Sequence, residues 1–360
     1  MGNALGSHAG QNEICAVPCL PPQIASKLES IIVTVLFFSL DRKEYGNKVI
    51  FKALINELNN LRNKGVEITV NKKTETVHFL KCLIIGDNLG LNGILGFVEL
   101  FANYVFCRIC ESKPEQMKCM LQENPLTIRT VEKYELDILN INTAETGIKE
   151  ECAFDDLYVF HVLINLYADV MHDLIEGVAM YTMARIISSL IESGFFNIKS
   201  LNACIKAFDF GLESSNIRPA IDMDYIKKHG KLKMSAAESL VFVRYFGCII
   251  GDYVPKGNEY WDLYLELRTI IHILTAVVIN DPDISRLDKC IKRHHKLYMK
   301  LFKESLKPKF HFLLHYLRLL KKLGPLVHIW TMRAESKFTE VKLIATSTSS
   351  KRDLLLTISK

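Results

Sequence analysis

The chain has 360 residues, 49% of them hydrophobic and 24% charged, with a formal net charge of +5. That length allows one large domain or two ordinary ones, and the composition excludes a disordered chain. The opening Met1-Gly-Asn-Ala-Leu-Gly-Ser7 lacks the cationic and apolar regions of a secretory signal. Ten cysteines are scattered without a small-domain disulfide rhythm. Reduced thiols in an intracellular compartment, nucleus or cytoplasm, are therefore expected. Gly2 falls short of a myristoylation motif because Gly6 stands where Ser or Thr is required. The apolar run 30–40 is too short to cross a bilayer, so no membrane partner is expected.

Residues 1–22 are rich in Gly, Pro and Cys and read as irregular. Pro21-Pro22 introduces a helix expected over 23–38. A second helix is expected over 47–63, where Leu54, Leu58 and Leu61 recur at helical spacing and Lys64-Gly65 ends the pattern. Residues 66–70 alternate as a strand, 71–74 form a turn, and 76–85 are a long β-rich run. Gly86-Asp87-Asn88 opens a helix predicted to continue through Leu91 to 104. From Cys110 to 151 the chain is polar and broken by Pro114 and Pro125, which predicts a long irregular connection. Beyond 155 the pattern is helical over 155–165, 169–193, 198–209, 234–251, 258–279, 285–304 and 308–322. The fold class is α/β and mostly helical.

Five groups of residues carry chemistry. Asp87 follows the β-rich run and precedes a helix, a position that suits either a metal-binding carboxylate or a helix N-cap. Cys107-Arg-Ile-Cys110 has the spacing that lets two thiolates share one tetrahedral zinc ion, and equally that of two semi-buried cysteines. Ligands for the second half of such a site would come from Cys119, Cys152, His161 or His172; the set Cys107, Cys110, His161 and His172 is the candidate zinc centre. Asp169-Val-Met-His172 opens a helix, with Asp169 placed to cap it and His172 either a ligand or a hydrogen-bonding group. His311 and His315 lie four residues apart on one helix face and are expected to line an aromatic surface with Phe310, Phe312 and Tyr316. From Arg286 to Lys322 cations far outnumber acids. Lys292, Arg293, Lys296, Lys300, Lys307 and Lys309 are candidate phosphate contacts, with a solvated helix face as the alternative. His294-His295 is assigned to the same basic surface.

In order along the chain these blocks resemble the CACTA-like (En/Spm) DNA transposases, especially their animal, transposon-derived branch. The matching stretches are Asn3-Ala-Leu-Gly-Ser-His-Ala-Gly10, Leu20-Pro-Pro22, Asp41-Arg-Lys-Glu-Tyr-Gly46, Gly86-Asp-Asn-Leu-Gly-Leu-Asn-Gly-Ile-Leu-Gly-Phe97, Cys107-Arg-Ile-Cys110, Gly147-Ile-Lys-Glu-Glu-Cys152 and Asp169-Val-Met-His-Asp-Leu-Ile-Glu-Gly177. The last is the block from Lys307 to Lys337 that contains Arg333-Ala-Glu-Ser-Lys337.

The resemblance implies a partial ribonuclease-H-like core at 23–105, following an irregular remnant at 1–22. A Cys-containing connection at 106–154, a helical insertion at 155–325 and a terminal helix with its tail at 326–360 complete the chain. It implies that Asp87 and Glu335 are vestiges of a carboxylate triad that binds Mg2+ in active relatives, and that Asp169 and His172 are a family signature. DNA and a second copy of the chain would be the partners. In the family a first catalytic Asp precedes the Asn-x-Leu-Gly-Ser segment, with which this sequence opens, and Phe occupies the place of Ala334. The expectation is therefore a truncated, catalytically inactive transposase-like protein that binds DNA and carries a structural Zn2+. An active transposase encoded with a further upstream exon, and a domesticated scaffold binding nucleic acid or protein, are the alternatives.

Overall fold

The computed structural model describes residues 11–16, 27–80, 83–101, 104–216 and 220–347. Asn3 to Gly10 and Leu20-Pro-Pro22 lie outside the described residues. The chain divides into two compact units: Met1–Glu111, Ile128–Tyr167 and Thr331–Lys360 make the first, and Ser112–Thr127 with Ala168–Trp330 make the second. The described residues are mostly helical, with little strand.

In the first unit, β1 (Gln11–Ala16) pairs antiparallel with β2 (Ile32–Phe38), with a register shift between Ile14 and Cys15. The helix expected over 23–38 is thus replaced, at 32–38, by a strand. Ile31-Ile-Val-Thr-Val35 is β-branched at every position, and such side chains are stiff at χ1 and suit a pleated surface. Next comes α1 (Ser39–Asn63), interrupted at Gly46, whose φ of 77° is left-handed; the part beyond it is the anticipated 47–63 helix. Phe51 on α1 packs against Phe37 of β2 and against Phe154, with ring centroids 5.3 and 5.1 Å apart.

The hairpin of β3 (Val66–Val70) and β4 (Lys73–Val77) forms as the alternation predicts. Asn71 and Lys72, both at positive φ, make its tight turn. The strand expected over 76–85 stops at Val77, because the following residues bond to the end of α1. Phe79 N–H donates to Leu61 O at 3.3 Å, and the His78 ring lies 2.7 Å from Arg62 O. Two separate two-stranded sheets are therefore the sheets of the described residues.

Helix α2 (Asn88–Ile94) is shorter than predicted. Gly96, at φ 83°, turns the chain so that Phe97 pairs with Ile148 and Gly96 O accepts from Lys149 N–H. The segment expected to be an irregular connection is instead ordered by buried side chains: Cys110, Met117, Tyr134 and Ile148 are all buried. It also contains α3 (Val131–Leu139), capped by Thr130. The helix expected over 155–165 reduces to a single 3-10 turn, Ala153–Asp156.

The second unit is helical. A π-helical stretch, Met171–Ala179, runs directly into α4 (Met180–Glu192). There follow α5 (Ile198–Ala207), α6 (Met223–His229), α7 (Ala236–Ile250), α8 (Glu259–Leu274) and α9 (Asp281–Phe302). All but α6 were anticipated. Asn197, Asp222, Ser235, Asn258 and Asn280 cap α5 to α9 in turn, each through its side chain. The predicted 308–322 helix is two pieces, α10 (Pro308–Leu313) and α11 (Tyr316–Leu323).

Met171–Glu192 has the length and apolarity of a membrane span. It packs against α7, α8 and α10, and Met183, Ile187 and Leu190 are wholly buried, as in a core helix. The closing helix α12 (Met332–Ser347), which carries Glu335 in its first turn, belongs to the first unit.

Candidate metal centre

Cys107 and Cys110 are buried in a tight loop whose backbone turns inward. Ile109 N–H donates to Cys107 Sγ at 3.4 Å, an arrangement that favours a thiolate. The loop is pinned from both sides. Arg108, buried between the cysteines, donates to Asn88 Oδ1 at 2.7 Å and to the carbonyl of Tyr167. Arg129, also buried, donates through Nε to Cys107 O at 3.1 Å, while its backbone N–H reaches Ile109 O. Cys110 pairs with Ile128 as an isolated β-bridge. Burial pushes the Cys107 thiol well above its ordinary value, and the neighbouring Cys110 adds to this. A thiol so enclosed ionises only when a cation supplies the opposite charge.

His311 and His315 are both wholly buried. Between them the backbone tightens: Leu314 N–H bonds to His311 O and His315 N–H to Phe312 O, both three residues back. The two rings meet edge to face with centroids 4.9 Å apart, and their Nε2 atoms are 3.3 Å apart. Two imidazole nitrogens, each about 2.0–2.1 Å from one tetrahedral zinc ion, stand about 3.3–3.4 Å from each other. His315 Nδ1 lies 2.8 Å from Glu123 Oε2. Burial alone would raise the Glu123 carboxyl, but hydrogen bonds from His315 and Arg318 hold it below the usual carboxylate range.

Each unit thus carries a buried pair of metal-ligating type: two cysteines in the first and, in the second, two imidazoles whose Nε2 atoms are 3.3 Å apart. Thiolates and imidazoles are the usual donors of structural zinc sites.

The cysteines are the pair singled out from the sequence, and the histidines expected to complete their site, His161 and His172, are engaged elsewhere. His161 Nδ1 accepts from Leu163 N–H at 3.1 Å, and its ring packs edge-on against Tyr134. His172 Nδ1 is bonded to Asp169 Oδ2 at 2.6 Å. The spacing of His311 and His315 is itself a zinc-ligand signature, His-x3-His.

The remaining candidates have local roles. Asp87 caps α2, its Oδ1 accepting from Gly90 N–H at 2.5 Å. Glu335 is half-buried in the first turn of α12, and its backbone N–H bonds to Thr331 O. Asp169 accepts from both the backbone and the ring of His172, so it serves as cap and as ring anchor together.

The cationic candidates are largely occupied. Lys292 pairs with Asp288, Arg293 with Glu266 and Lys300 with Glu259. Lys309 donates to His172 O at 2.7 Å, and Lys307 lies over the Tyr181 ring; Lys296 is exposed. His294 and His295, assigned to the same surface, are instead completely buried. A hydrophobic stripe on α9, with Leu287, Ile291 and Tyr298, turns that histidine face inward.

No family model matches this chain, and no curated protein matches it.

Proposed function

We propose that this chain is a transposase-like, transposon-derived protein that holds one structural Zn2+, with His311 and His315 as two of its ligands and Cys107-x2-Cys110 as the candidate thiolate pair. The two wholly buried imidazoles, their Nε2 atoms 3.3 Å apart, carry the reading. A zinc ion closed by protein ligands contributes folding energy and no catalytic position. The transposase class and its ribonuclease-H-like ancestry rest on the order of the sequence motifs. Asp87 acting as a helix cap supports a binding or structural role over strand transfer. The ion pairing of Lys292, Arg293 and Lys300 argues against those side chains forming a free phosphate-binding stripe.

Elemental analysis of the purified full chain tests the metal. The expected result is about one zinc per chain, with loss of that zinc in Cys107→Ala and in His311→Ala. Removing the metal with a chelator lowers the melting temperature. Wild-type protein without zinc, or a quadruple Ala variant with undiminished zinc, overturns the reading.

A further inference from the structure

Glu123 precedes Pro125 in the Ser112–Thr127 segment of the second unit, in a stretch without helix or strand. The segment is tied down at Lys118, whose carbonyl accepts from Leu306 N–H at 2.8 Å. From there Glu123 reaches the edge of the buried His315 ring. Its Oε2 is 2.8 Å from His315 Nδ1, and its Oε1 accepts from Arg318 Nη2 at 2.6 Å. An ionised carboxylate only accepts hydrogen bonds, so the Nδ1 facing it must carry the proton. The lone pair of His315 is then on Nε2, the atom that faces His311 Nε2 at 3.3 Å.

Resting on the zinc reading above, the structure assigns Glu123 as the positioning residue of the metal centre: the carboxylate that fixes His315 in its ligating tautomer and makes it a stronger donor. Outer-shell carboxylates of this kind set ring orientation and ligand basicity at zinc sites. Arg318 holds the carboxylate in turn, through both Nε and Nη2. Glu123 touches no metal itself; it acts through His315.

The test is a zinc competition titration of the full chain against a chromophoric chelator, on wild type, Glu123→Gln, Glu123→Ala and His315→Ala. Cobalt(II) spectra report the ligand set. Glu123→Ala is expected to weaken zinc by about 10- to 100-fold, with Glu123→Gln between it and wild type because its amide oxygen still accepts from Nδ1. His315→Ala loses the tetrahedral cobalt spectrum, whereas both Glu123 variants keep its shape. Stability of the metal-free proteins is measured alongside. A variant that destabilises metal-free and metal-loaded protein equally, with affinity unchanged, marks a purely structural carboxylate and overturns the assignment. Equal zinc affinity in wild type and Glu123→Ala does the same while leaving the metal reading intact. Wild type that binds no zinc overturns both.

Discussion

Asp155 shows how much a single buried group sets aside for its surroundings. Burial pushes its carboxyl up to about 7, and the charges of Glu151 and Asp156 push the same way. A hydrogen bond from Val162 N–H at 2.7 Å opposes them without prevailing. The folded value lies above the ordinary one of 3.8, so the folded chain holds a proton that the unfolded chain releases. Stability therefore falls as pH rises between about 4 and 7 on account of this residue. Asp155→Asn mimics the protonated form and keeps an acceptor for Val162. Its melting temperature should exceed that of wild type, by more at pH 8 than at pH 5. A variant less stable than wild type at pH 8 would contradict this account. At the same scale, Asp169 was recognisable as a helix cap from residue type and position. The orientation of His315 was not, since it depends on a carboxylate 192 residues away.

Elements follow local pattern where the signal is strong and give way where neighbours decide. The β3–β4 hairpin and helices α5 and α7 to α9 lie close to where alternation, periodicity and caps predict them. The predicted 308–322 helix splits because Leu314 and His315 bond three residues back rather than four. Residues 86–104 do not form one helix because the chain at Gly96 and Phe97 pairs with 148–150 instead. Gly147 closes that arrangement. It sits at φ 71°, and a Cβ there would stand 1.8 Å from Val105 O. Gly194 has a similar φ of 77° with open space around it. Gly194→Ala should lose about 1–2 kcal/mol from backbone strain alone. Gly147→Ala should lose clearly more, about 3 kcal/mol or above, because backbone must move as well. Urea unfolding of the two variants measures the difference; equal losses would show that the approach of Val105 is not tight.

At the scale of the whole molecule, the second unit buries a relay of neutral histidines. His295 Nε2 lies 3.0 Å from Phe310 O, His294 Nδ1 lies 3.2 Å from His295 Nδ1, and Thr182 Oγ1 lies 3.3 Å from His294 Nε2. One consistent set of tautomers satisfies all three: His295 donates to the carbonyl, His294 donates to His295, and Thr182 donates to His294. Burial pulls His295 down to about 4 and His294 well below 6.5. Both values are depressed, so the stability is fully present above about 6.5 and is lost as pH falls toward 4, where the unfolded chain takes up protons first. For His295 the distance from 6.5 to about 4 corresponds to about 3 kcal/mol. The stability gap between wild type and His295→Gln, read by urea unfolding, should narrow as pH is lowered from 7 to 4; a constant gap would show that His295 is not held neutral.

The sequence by itself determined that the chain is mostly helical and where its hairpin and most of its helices lie, and it singled out Cys107 and Cys110 by their spacing. These depend on residues a few positions apart, which local periodicity records. Tertiary structure decided that 32–38 pairs as a strand, that the segment after Cys110 is packed rather than irregular, and that His294 and His295 face a core. Burial and side-chain partners are properties of space, and residues 192 positions apart, such as Glu123 and His315, leave no periodic trace of their meeting.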